Sequence, residues 1–187
     1  MSVAAVQALV IVDVQAGLVS GDHAVPEADQ LVTRVAGLLA QARHAGILIV
    51  HLQNDGHPGE PDEPGQPGWE LQLPPAPAEP VIRKTADDGF QGTDLERVLT
   101  MHGISRIAIA GLQSELCVSA TARTALGQGF GVVLPHDAHS TYDIPASPGL
   151  GPAVPAQVVA RVAEWALGDQ IELVDRSADV VFSRAMP

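Results

Sequence analysis

Apolar residues follow two rhythms along this chain. Short apolar-rich runs at residues 8–12, 47–50, 81–84, 106–110, 130–134 and 171–174 predict six strands, and the continuous run 8–12 reads as one buried on both faces. Between them the apolar positions recur at helical spacing. Pro26 leads a helix with Leu31, Val35, Leu38, Leu39 and Ala42 on one face and Gly46 as its stop. Thr93 and Glu96 have the spacing of a capping box opening a helix to Gly103, and 114–128 and 156–167 complete the set. Strands alternating with helices predict an α/β fold in three layers, with a central parallel six-stranded, Rossmann-like sheet and helices on both faces. The length of 187 residues suits a single domain over 1–187.

The stretch 53–80 breaks both rhythms. It is rich in Pro, Gly and acidic residues, yet carries Trp69 and Leu71, so it reads as a loop that docks onto the body of the protein.

In a parallel sheet, ligands collect beyond the carboxyl ends of the strands. Asp13, Lys84 and Cys117 all fall at such ends. Cys117, the only cysteine, lies in the first turn of a helix that Ser114 is expected to cap. Free backbone N–H groups and the helix dipole there favour a thiolate. A cysteine nucleophile also needs a proton acceptor and a stabilised oxyanion. Asp13 suits the first role and Lys84 supplies positive charge.

Composition narrows the partners. A net charge of -12 at pH 7 repels phosphate backbones and anionic lipids, which argues against nucleic acid and membrane surfaces. No apolar run is long enough to span a bilayer, and no secretory signal opens the chain, so a cytoplasmic protein is expected. One cysteine makes no internal disulfide. His51, Asp55 and His57 are of metal-ligand type, but the next histidine is His102. No metal and no cofactor are therefore expected, and the absence of a Gly-x-Gly-x-x-Gly or phosphate-loop motif disfavours nucleotides. His136 and His139 read as hydrogen-bonding loop residues.

Four segments together resemble one family: Leu9-Val10-Ile11-Val12-Asp13-Val14-Gln15; Val81-Ile82-Arg83-Lys84; Phe90-Gln91-Gly92-Thr93-Asp94-Leu95; and Ala110-Gly111-Leu112-Gln113-Ser114-Glu115-Leu116-Cys117-Val118. They are similar to the isochorismatase-like cysteine hydrolases, a family that includes nicotinamidases and N-carbamoylsarcosine amidases. The resemblance implies that Asp13, Lys84 and Cys117 form a catalytic triad. It also implies a cis peptide between Leu112 and Gln113, and an oxyanion hole from the N–H groups of Gln113 and Cys117. Gln15, Trp69, Phe90 and Leu116 are candidate substrate contacts, and a homodimer or homotetramer is expected. The activity implied is hydrolysis of a small-molecule amide, carbamoyl or related C–N bond through a thioester. Two alternatives stay open: vinyl ether hydrolysis of the isochorismatase type with Asp13 as acid, and a small-molecule binding protein without turnover.

Overall fold

The computed structural model describes residues 5–185. Its centre is a parallel sheet in the order β3-β2-β1-β4-β5-β7, formed by β1 (Ala8–Val12), β2 (Leu48–Asn54), β3 (Val81–Lys84), β4 (Arg106–Leu112), β5 (Gly131–Pro135) and β7 (Ile171–Val174). These six strands are the expected ones. A seventh, β6 (His139–Ser140), pairs with the end of β4. At two residues it is too short to leave a periodic signal.

Alternation along the strands sorts two cores. Leu9 and Ile11 of β1, with Ala108 and Ala110 of β4, face one side and pack with Leu31, Val35, Leu38 and Ala42 of α2 (Ala28–Ala45). Ala8, Val10 and Val12, with Ile107 and Ile109, face the other. There they meet Leu95 and Leu99 of α3 (Leu95–Met101) and Ala122 and Ala125 of α4 (Ser119–Gly127). This period of two puts apolar surface on both faces, so the strand sequences read as unbroken hydrophobic runs. Between β1 and α2 lies the short helix α1 (Ala16–Val19), and α5 (Ala156–Ala166) precedes β7.

From β1 the chain moves outward through β2 and β3, then returns to β4 on the opposite side of β1. The strand order therefore reverses between β1 and β4, which opens a crevice at their carboxyl ends. Strand β4 runs past the expected end at residue 110, through Gly111 to Leu112. Gly111 is there for closeness: a Cβ on it would lie 2.0 Å from the Val12 carbonyl oxygen, and its φ is +125°.

The long loop docks, as Trp69 suggested. Gln15 and Leu71 form an antiparallel bridge, Ala16 donates to the Glu70 carbonyl, and Gln72 donates to that of Val14. Its far end is tied to α2 and β2 through Glu79. That carboxylate accepts from Arg43 Nε at 2.7 Å and Nη2 at 2.8 Å, from the Ala76 N–H at 2.9 Å, and from the buried His51 Nε2 at 3.0 Å. Hydrogen bonds led by Arg43 hold Glu79 down at about 2, while burial pushes the His51 imidazole below its ordinary value against the pull of Glu79. A depressed carboxylate adds stability that is complete above its ordinary value and is lost as pH falls through about 2. Glu79→Gln should therefore cost roughly 1–2 kcal/mol at neutral pH. The gap in melting temperature from the parent should close as pH is lowered from 4.5 toward about 2, which calorimetry across that range checks. A gap that stays constant would remove Glu79 from the acid response.

Candidate active site

Three strand ends converge on one cluster. Asp13, the residue after β1, adopts a left-handed backbone with φ 52°. This conformation is tolerated by a short polar side chain, and it turns the chain at the strand end. Lys84 closes β3, and Cys117 follows β4 in a five-residue π-helical turn, Ser114–Val118, that precedes α4. Lys84 Nζ lies 2.7 Å from Asp13 Oδ2 and 3.3 Å from Cys117 Sγ, and it also donates to Asn54 Oδ1 and the Ala86 carbonyl at 3.2 Å each. Asp13 and Lys84 are each 2% exposed. Among the described residues Asp13 Oδ1 has no hydrogen-bond partner.

Burial pushes the Asp13 carboxyl up to about 6, against the pull of Lys84. Burial also disfavours the Lys84 charge, but Asp13 and Cys117 beside it hold the ammonium above its ordinary value. The cysteine departs from the sequence expectation. Burial first, then the Asp13 charge, push its thiol up to about 12, and Lys84 offsets this only in part. Desolvation and the Asp13 charge thus act against the thiolate that the helix start was expected to favour. The thiol rests protonated beside a carboxylate that titrates near neutrality. Such a pair can transfer a proton as the sulfur attacks.

Ser114 is not a helix cap either. Its hydroxyl pairs with His139 Nδ1 at 2.8 Å, and His139 Nε2 pairs with Glu164 Oε1 at 3.0 Å; all three side chains are buried. Two residues beyond His139, Thr141 donates to Glu115 Oε1 at 2.8 Å. The segment around β6 thus clamps the cysteine turn at two points. This gives His139 a structural position that the sequence left open, while the exposed His136 only supports Glu164 at 2.6 Å.

A cleft of about 350 Å³ opens over the cluster, with Asp13, Asn54, Asp62, Gln113, Cys117 and Tyr142 among its walls. The Leu112–Gln113 peptide is cis. Gln113 and Cys117, the expected oxyanion donors, both border the cleft, but the four expected substrate contacts do not. Gln15 is buried and fully engaged: its amide donates to the Asn54 and Trp69 carbonyls and accepts the Asn54 N–H. Trp69 donates to Asp55 and lies under Arg83. Phe90 packs on Phe130 in the core, and Leu116 is half exposed outside the cleft. Asp55 is taken by Arg83 and Trp69, and among the described residues no three His, Cys, Asp or Glu side chains converge as a metal site.

Asn54 and Asp62 escaped the sequence reading. Asn54 bridges the site, accepting from Lys84 and donating to Asp62 Oδ2 at 2.7 Å. Its place at the end of β2 is the signal that could have found it. Asp62 lies inside the irregular loop, where no pattern marks a residue.

A family model described as the isochorismatase domain matches residues 7–147. Two curated relatives from Streptomyces noursei, both named streptothricin hydrolase, are 56% and 59% identical to the chain over 96% and 95% of its length. The chain spans 72% and 65% of those relatives. The crystal structure of an isochorismatase from Pseudomonas putida superposes with a TM-score of 0.87 at 28% identity, covering 97% of this chain and 94% of that one.

Proposed function

The chain belongs to the isochorismatase family of hydrolases, and from that premise we propose that it cleaves an amide C–N bond of a small molecule through a thioester on Cys117. The observation that carries this reading is the Asp13–Lys84–Cys117 cluster, with a protonated thiol beside a carboxylate raised to about 6. Vinyl ether hydrolysis would need only the acid and gives Cys117 no task. Turnover also accounts for a catalytic-type cluster at the base of a cleft better than binding alone.

As Cys117 Sγ bonds to the substrate carbonyl carbon, its proton passes to Asp13. Lys84 stabilises the sulfur while it is anionic, and the N–H groups of Gln113 and Cys117 receive the oxyanion. Collapse breaks the C–N bond, and the departing nitrogen takes the proton from Asp13. Water then attacks the thioester and gives its proton to Asp13. The acid leaves, and the thiolate regains that proton.

The chain's similarity to two proteins named streptothricin hydrolase makes streptothricin the first substrate to test. No metal or cofactor enters these steps. Val158, Val162 and Trp165 form an exposed apolar stripe on α5, which supports a homodimer or homotetramer, and a free nucleophilic thiol suits the reducing cytoplasm.

The test is a screen of streptothricin and small amides for hydrolysis, read by mass spectrometry of products. Cys117-dependent cleavage of a C–N bond is expected. Cleavage of isochorismate alone, with no amide consumed, would overturn the reading.

A further inference from the structure

The walls of the cleft are charged unequally. Asp13, Glu60 and Asp62 line it, and no lysine or arginine does; His23 is the sole basic side chain among its lining residues. Asp13 is answered by Lys84 beneath. Asp62 is not answered. Its carboxylate is 5% exposed and accepts one hydrogen bond, from the neutral amide of Asn54, and no cation among the described residues pairs with it.

A buried carboxylate without a counter-charge is costly, because one amide donor does not replace lost hydration. Its position in the wall of a ligand-sized cleft supplies a reason for that cost. One buried atom in the same walls, Asp13 Oδ1, lacks a hydrogen-bond partner among the described residues. The Asp62 charge is felt at both Asp13 and Tyr142, which border the cleft elsewhere, so the field extends across the opening. Glu60 adds negative charge at the exposed rim, although its carboxylate also accepts the His57 N–H.

We propose that Asp62 receives an ammonium or guanidinium group of the substrate, so that the cleft selects cationic amides over neutral and anionic ones. This rests on reading the cleft as the hydrolase site. Asn54 then joins specificity to chemistry, since one face of its amide holds Asp62 and the other holds Lys84.

The selection can be read without turnover, from the rate at which Cys117 is modified by methanethiosulfonates of different charge. The cationic trimethylammonioethyl, neutral hydroxyethyl and anionic sulfonatoethyl reagents are each referred to their rates with 2-mercaptoethanol. In the parent protein the corrected cation-to-anion ratio should exceed unity by at least about tenfold, and Asp62→Asn should lower the cation-to-neutral ratio by about tenfold. Glu60→Gln, at the rim, should lower it less. A parent ratio at or below unity overturns the proposal even if Asp62→Asn does not fold. An Asp62→Asn ratio within about twofold of the parent overturns it too, since the preference would then come from the general negative field. Loss of the preference with amide turnover intact removes the cation site and spares the hydrolase reading. The preference without Cys117-dependent turnover does the reverse.

Discussion

Asp13→Asn should lower amide turnover by roughly 10³-fold while making Cys117 at least about tenfold faster to alkylate with iodoacetamide near pH 8. The two effects have opposite signs because the carboxylate does two things. It accepts the thiol proton during attack, so its loss removes the base. At rest, burial and then its negative charge push the thiol up to about 12. Removing that charge leaves Lys84, 3.3 Å from the sulfur, to favour the thiolate against burial but no longer against Asp13. Alkylation needs only the thiolate, whereas turnover also needs a proton for the leaving nitrogen. In the parent protein kcat/KM should rise with pH through about 6, as Asp13 becomes able to accept a proton, and the variant should lose that limb. Turnover and alkylation falling together would show that Asp13 only holds the site in shape. Near-normal turnover would remove it from the mechanism.

Cys117→Ala should reduce hydrolysis by roughly 10⁴-fold or more, to the level that binding and the oxyanion donors sustain alone. The fold should tolerate the change. Cys117 is only partly buried, and the Asp13–Lys84 pair that would be expensive to break stays intact at 2.7 Å. Stability is expected within about 1 kcal/mol of the parent by denaturant melts. A folded Cys117→Ala protein that still hydrolyses at near the parent rate would leave Asp13 as a stand-alone acid and restore the vinyl ether reading.

The sheet was legible because its central strands are buried on both faces. Runs such as Ala8–Val12 carry no polar residue, and the glycines and prolines between elements mark the breaks. Topology did the rest for Asp13, Lys84 and Cys117, since parallel strands deliver their carboxyl ends to one edge. Ionisation was not legible. The helix-start rule concerns the backbone within one turn, and the thiol answers to desolvation and to a carboxylate that arrives from another strand. The substrate contacts expected at Gln15, Trp69 and Phe90 illustrate a related gap. Proximity in sequence to a motif gives no direction to a side chain, and all three are engaged by the docked loop or the core. Ser114 has the residue type and spacing of a cap, but His139 claims its hydroxyl across twenty-five residues of sequence. Asp62 lies where composition alone predicts only irregular chain, and its importance emerges from burial and from the company it keeps.

The decisive measurement is the mass of the protein caught during turnover. Acid-quenched samples, taken while the enzyme consumes streptothricin or the best amide of the screen, should contain a species heavier by the acyl portion of the substrate. Digestion should place that mass on the peptide holding Cys117, and hydroxylamine should release it. Steady hydrolysis with Cys117 unmodified in every quench, and persisting in Cys117→Ala, would contradict a thioester mechanism.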